Sequence, residues 1–191
     1  MAESASEIRN VPNFLSLCRF LLAILLFFLI SFEAYSLSVW IFIVAASTDW
    51  VDGWWARKYD QVTQLGRMFD PFVDKIIICG AFIMLASVPN SGIVGWMAVL
   101  IVGRELLVTA LRSYLEAQGA DFSANFAGKL KMVFQCIAVV ASLLALVAIS
   151  QEEPLTIWFS WFLFGSVWVA LLSTVQSGLG YLIAAAKIIF K

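Results

Sequence analysis

Histidine is absent from this 191-residue sequence, and charge is scarce: Lys, Arg, Asp and Glu together make up 13% of it. Without histidine the usual proton carrier near neutral pH is missing, so acid–base chemistry falls to Asp, Glu, Lys, Tyr or Cys. A soluble domain carries about 25% charged residues. Half that density cannot coat a water-facing surface around a chain that is 62% hydrophobic. A net charge of −1 offers no basic face for a nucleic acid, and none is expected as a partner. Cysteine is limited to Cys18, Cys79 and Cys136, an odd set scattered through apolar stretches. That pattern speaks against a disulfide framework or a zinc site and for small buried hydrophobes. The opening MAESASEIRNVPN has no basic leader region, and the apolar segment after it is expected to be retained.

What the chain does have is long apolar runs, at about 14–31, 37–57, 68–88, 92–116, 125–149 and 155–186. Each suits a helix crossing roughly 30 Å of hydrocarbon at about 1.5 Å rise per residue. The breaks SFEAYSL, SVPNSGI and SQEEPLTI contain no Lys or Arg. The alternate breaks hold Arg57, Lys58 and Arg67, then Arg112, Lys129 and Lys131, and the termini carry Arg9, Lys187 and Lys191. Positive charge collects on the cytoplasmic side. The expected fold is therefore an all-α integral membrane protein with six transmembrane helices, both termini inside, and the lipid bilayer as solvent. Trp40, Trp96, Trp158 and Trp161 fall near outer ends, and Trp50, Trp54 and Trp55 near an inner end, as in an aromatic belt. With no sharp internal repeat, residues 1–191 read as one domain.

One stretch breaks the oil: DWVDGWWARKYDQVTQLGRMFDPFVD at 49–74. Asp49 and Asp52 are three apart near the inner end of the second helix, and Asp70 and Asp74 are four apart at the inner start of the third. Each pair shares a helix face. Pro71 is compatible with the third helix if it falls in the first turn. Four carboxylates gathered at low dielectric protonate unless cations neutralise them, and hard oxygen donors suit two Mg²⁺ or Mn²⁺ ions. Gly53, Ala56 and Gly66 leave room for a ligand against the helices, and Arg57 stands beside them. Two divalent ions, open space and an arginine suit a diphosphate. A proton or cation relay also uses intramembrane acids, but it favours the bilayer midplane and has no need of the small residues.

The spacing Asp49-x2-Asp52-Gly53-x2-Ala56-Arg57-x8-Gly66-x3-Asp70-x3-Asp74 resembles the full signature of the CDP-alcohol phosphotransferase family, with every position present. The resemblance implies a six-helix membrane enzyme, a homodimer, with a polar cavity open to the cytoplasm. It implies transfer of a phosphatidyl or related group from a CDP-linked donor to an alcohol, with release of CMP. By the same correspondence Asp49, Asp52, Asp70 and Asp74 are metal ligands, and Asp74 is also the general base. Asp52, Gly53, Ala56, Arg57 and Gly66 belong to the CDP-binding site. A bacterial inner or plasma membrane is the implied location.

The signature does not name the acceptor, so the other charges must be weighed. Arg104 lies about 18 Å along the fourth helix from its outer end, at a depth where arginine is a functional candidate. Neighbours on a helix point apart, so the partner of Glu105 is expected on another helix and not at Arg104. Arg104, Arg112, Lys129 and Lys131 together exceed what sidedness needs and suit an acceptor bearing its own phosphate. Lys129 and Lys131 are two apart and cannot both face inward on a regular helix. NVPNFLSLCR at 10–19, GRELLVTALR at 103–112 and GKLKMVFQ at 128–135 resemble the family branch that joins CDP-diacylglycerol to sn-glycerol 3-phosphate. The tail, sixth helix included, adds little to that resemblance. Asn13 is a candidate substrate contact, though Asn13 and Ser16 could instead cap the first helix. The alternatives are a sibling enzyme using inositol phosphate, one using phosphatidylglycerol as a cardiolipin synthase does, and a divalent-cation channel or transporter.

Overall fold

The computed structural model describes residues 11–59, 64–117 and 126–189. Within these, side chains at 11–13, 49–59, 64–71, 74, 116–117, 126–127, 129, 184 and 187–189 are outside the description. Among the described residues the chain forms six α-helices: α1 (Val11–Ser31), α2 (Tyr35–Tyr59), α3 (Gln64–Ala86), α4 (Gly95–Ala117), α5 (Phe126–Ser150) and α6 (Ile157–Ile189). Three contain runs long and apolar enough to cross a membrane: Phe14–Ser31 in α1, Leu130–Ser150 in α5 and Ile157–Ile183 in α6. Among the described residues α2 and α3 hold shorter apolar stretches, Tyr35–Thr48 and Lys75–Ala86. The α4 run is broken by Arg104 and Glu105.

The turns close by definite local chemistry. At the end of α1, Glu33 takes a left-handed conformation (φ 58°). Its N–H donates to Ile30 O at 3.1 Å and that of Ala34 to Leu29 O at 2.9 Å, a Schellman closure. The end of α5 repeats it: Glu152 has φ 58°, with Glu152 N–H on Ile149 O at 3.1 Å and Glu153 N–H on Ala148 O at 2.9 Å. Thr156 caps α6, its Oγ1 accepting from Phe159 N–H at 3.3 Å. Pro71 is the eighth residue of α3, not a first-turn residue as the sequence suggested. Lacking an N–H, it leaves the carbonyl of Arg67 without the usual helical donor. Asn13 and Ser16 both lie inside α1, so neither caps it.

The chain clusters into two compact units, Met1–Met84 and Leu85–Lys191. In the first, α1 and α2 pack along each other. The buried stripe of α1 is Ser16, Arg19, Ala23, Leu26 and Ile30, while Phe14, Leu17, Leu21, Leu25 and Phe28 are exposed. Gly80 of α3 admits Phe27 so closely that a Cβ there would stand 2.1 Å from Phe27 Cζ. In the second unit α6 packs on both α5 and α4. Ser142 Oγ of α5 donates to Ser91 O at 2.5 Å, tying α5 to the turn before α4. Gln135 Nε2 donates to Thr174 Oγ1 at 3.0 Å, joining α5 to α6. Most helical hydroxyls donate back to their own helix, as Thr109 does to Glu105 O and Thr174 to Ala170 O. Such bonds hide a polar group where no water is at hand.

Trp40, Trp96, Trp158 and Trp161 are exposed, as belt residues should be. Cys18, Cys79 and Cys136 are half-buried thiols, less enclosed than the sequence suggested.

Candidate active site

Asp49 and Asp52 lie in the second half of α2, and Asp70 and Asp74 in the first half of α3. Spacings of three and four place each pair on one face of its helix. The side chains of Asp49, Asp52, Gly53, Ala56, Arg57, Gly66, Asp70 and Asp74 lie outside the described residues, as do those of Asn13, Lys129, Trp50, Trp54 and Trp55. Among the described residues, no three His, Cys, Asp or Glu gather as a metal site.

A fully buried arginine in the first unit escaped the sequence reading. Arg19 of α1 has no exposed surface, and its Nε donates to Thr48 Oγ1 of α2 at 3.2 Å. Thr48 in turn donates to Ala45 O at 2.7 Å and immediately precedes Asp49. Arg19 thus fastens α1 to the point on α2 where the acidic stretch starts. The available signal was a single charge within an apolar helix, since Arg19 is the one charged residue in Val11–Ser31.

The second unit holds a buried polar cluster. Arg104 Nη1 lies 3.0 Å from Glu105 Oε1, and Lys131 Nζ of α5 meets the same oxygen. The side chains of Arg104, Glu105 and Lys131 are 9%, 9% and 8% exposed, so solvent does little for any of them. Lys131 is the expected partner from another helix. The pairing of Arg104 with Glu105 corrects the expectation that helix neighbours point apart. Both are long side chains, and each bends to the side where Lys131 and α6 supply further polar atoms. Removing Glu105 would take a shared carboxylate away from two buried cations.

Arg104 also reaches α6. Its Nη2 donates to Ser177 Oγ at 2.6 Å, and its guanidinium carbon stands 5.9 Å from the centre of the Tyr181 ring. That distance allows a cation–π contact. A Cβ on Gly178 would lie 3.0 Å from Arg104 Cγ, so the bare glycine gives the arginine stem its berth. Among the described residues Arg104 Nε is buried without a hydrogen-bond partner. An unmet buried donor costs about 1–3 kcal/mol, and more on a charged group. Few native groups carry that cost without a reason.

Of the four expected acceptor-site cations, Arg104 and Lys131 are thus brought together. Arg112 is half-buried farther along α4. Since α4 begins at Gly95, Arg104 is about 14 Å from its start by helical rise, closer than the 18 Å expected. Ser177 and Tyr181 were not legible as site residues, because a serine and a tyrosine in an apolar helix carry no spacing signal.

The chain matches the CDP-alcohol phosphatidyltransferase family over residues 9–177. It is 39% identical over 141 residues to the CDP-diacylglycerol–glycerol-3-phosphate 3-phosphatidyltransferase of Bacillus subtilis, covering 74% of this chain and 69% of the relative. The Rickettsia typhi protein of the same name is 32% identical over 178 residues, covering 91% and 95%. That of Salmonella typhimurium is 31% identical over 181 residues, covering 92% and 94%. Such enzymes generally depend on a divalent metal ion. The match spans every segment carrying a candidate residue up to Ser177, and the chain belongs to the CDP-alcohol phosphatidyltransferase family.

Proposed function

We propose that this protein is a membrane phosphotransferase of phospholipid biosynthesis. It transfers the phosphatidyl group of CDP-diacylglycerol to sn-glycerol 3-phosphate, forming phosphatidylglycerol phosphate and CMP. The observation that carries the acceptor is the extent of agreement with relatives named for this reaction, which reaches 91% and 92% of the chain. The buried Arg104–Glu105–Lys131 cluster supports it, because it gathers two cationic side chains in one buried place, as an anionic acceptor would need.

Residues 1–191 form one catalytic domain of six membrane-crossing helices, with both termini and the polar cavity on the cytoplasmic face of a bacterial inner membrane. The enzyme works as a homodimer. Asp49, Asp52, Asp70 and Asp74 hold two divalent ions, Mg²⁺ or Mn²⁺, whose chemistry is to neutralise the donor diphosphate and ease departure of CMP. The donor set fits: carboxylate oxygens are the hard ligands these ions prefer. Asp52, Gly53, Ala56, Arg57 and Gly66 receive the CDP group. Arg104, Arg112, Lys129 and Lys131 bind the acceptor's phosphate, and Asn13 contacts substrate. Asp74 accepts the proton of the acceptor hydroxyl. The hydroxyl oxygen bonds to the lipid-bearing phosphorus, the phosphoanhydride bond breaks, and its bridging oxygen leaves with CMP.

The test is product analysis with the purified protein in CDP-diacylglycerol micelles. Labelled sn-glycerol 3-phosphate is expected to enter the lipid phase as phosphatidylglycerol phosphate, with one CMP released per lipid formed. Metal flux across proteoliposomes with no CMP release would replace this reading with a channel.

A further inference from the structure

We infer that Ser177 and Glu105 are positioning residues that hold the Arg104 guanidinium ready for the phosphate of the acceptor alcohol, with Ser177 adding a hydrogen bond of its own. This rests on the proposed reading of Arg104 as an acceptor-phosphate ligand.

Three engagements fix the guanidinium. Glu105 Oε1 takes Nη1 at 3.0 Å, Ser177 Oγ takes Nη2 at 2.6 Å, and the Tyr181 ring stands 5.9 Å away. Of the three guanidinium nitrogens Nε is the one with no partner among the described residues, and its N–H lies on the same edge of the plane as Nη2. That edge is the fork by which arginine receives phosphate oxygens side-on. Nε is buried and, among the described residues, unpartnered.

The state of Ser177 is the second observation. Its helical neighbours Ser173 and Thr174 each donate to the carbonyl of Ala170, at 3.0 and 2.6 Å. Ser177 is only 6% exposed, yet the bond it makes is the one it accepts from Arg104. Its own hydroxyl proton has no acceptor among the described residues. Two linked donors, Arg104 Nε–H and Ser177 O–H, therefore stand together in a buried place that water serves poorly. A phosphate oxygen is the acceptor that satisfies both.

Gly178 completes the arrangement. A Cβ there would be 3.0 Å from Arg104 Cγ and 3.6 Å from Nε, so any side chain would push the stem off α6. Glu105 meets Arg104 and Lys131 through the same oxygen, so the carboxylate holds the guanidinium in place against α5.

The experiment is steady-state kinetics of wild type, Ser177→Ala, Ser177→Thr and Gly178→Ala, with each substrate varied in turn. Ser177→Ala is expected to raise KM for sn-glycerol 3-phosphate about tenfold, the worth of a hydrogen bond to a charged group. KM for CDP-diacylglycerol is expected to stay within about twofold, since uniform loss of binding to one substrate appears in that substrate's KM. Inhibition by inorganic phosphate should weaken in parallel, and Ser177→Thr should recover most of the loss. Gly178→Ala keeps every polar group and should give the same one-sided rise, so it carries the test if Ser177→Ala does not fold. An unchanged KM for glycerol 3-phosphate, equal shifts for both substrates, or no recovery with threonine would overturn the inference. A wild type that ignores glycerol 3-phosphate would instead overturn the functional reading beneath it.

Discussion

Lys131 of α5 and Glu105 of α4 meet within the second unit with side chains only 8% and 9% exposed, and Arg104 shares the same carboxylate oxygen. One carboxylate oxygen therefore meets two cations in a place with little water. Such an arrangement is stable while complete and fragile when one member is lost. It fixes the relative placement of α4 and α5 through a charge, and, through Ser177, that of α6 as well.

Glu105→Ala is expected to be strongly destabilising. Taking this carboxylate away from buried Arg104 and Lys131 costs about 3 kcal/mol, equivalent to a fall in Tm of roughly 10 °C at this chain length. Glu105→Gln keeps an acceptor oxygen and should lose less. Thermal unfolding in detergent reads both. A Glu105→Ala protein with wild-type Tm would show that the cluster contributes nothing to the fold.

The two glutamates at left-handed positions predict stabilising changes. Glu33 and Glu152 both have φ 58°, a conformation that penalises a Cβ. Glu33→Gly and Glu152→Gly should each raise stability by about 1 kcal/mol while leaving the Schellman hydrogen bonds in place. Because the two turns are far apart in sequence and in different units, the gains should add. Lower Tm in either variant would contradict the turn assignment.

Gly80 predicts a specific clash and a specific rescue. A Cβ at this position would stand 2.1 Å from Phe27 Cζ, so the ring must swing away from α3. Gly80→Ala should cost about 1–3 kcal/mol by overpacking. Phe27→Leu combined with Gly80→Ala should lose less than the sum of the single changes. A double-mutant cycle with zero coupling energy would contradict the contact.

Much of this was legible in the sequence, and the rest has identifiable reasons. The six helices followed from apolar run length, and their ends agree to within a few residues. Pro71 was misplaced because α3 extends back to Gln64 through a segment whose polar residues do not look like a membrane helix. Arg104 was visible as charge at depth, but its bond to Glu105 was not, because sequence spacing gives Cβ directions and not the reach of long side chains. Arg19, a fully buried cation in α1, carries no spacing signal beyond being a lone charge in an apolar run. Ser177 could not be singled out at all. Its distinction from Ser173 lies in which bond it fails to make, and that is a property of packing.

Chelation probes the acidic stretch. EDTA is expected to abolish turnover, with Mg²⁺ or Mn²⁺ restoring it, because the charge of a diphosphate cannot be met by Arg57 alone. Asp74→Asn should lower kcat by at least about a hundredfold, the usual contribution of a positioned base, while retaining binding of CDP-diacylglycerol. Turnover in EDTA, or an Asp74→Asn enzyme with near-normal kcat, would remove the metal or the base from the account.

The most direct measurement is CMP release from CDP-diacylglycerol by the purified protein with glycerol 3-phosphate, inositol phosphate, inositol, serine and phosphatidylglycerol offered one at a time. The kcat/KM for glycerol 3-phosphate is expected to exceed that for every other acceptor, and acceptors lacking a phosphomonoester are expected to be poorest. Faster CMP release with inositol, serine or phosphatidylglycerol than with glycerol 3-phosphate would contradict this ranking.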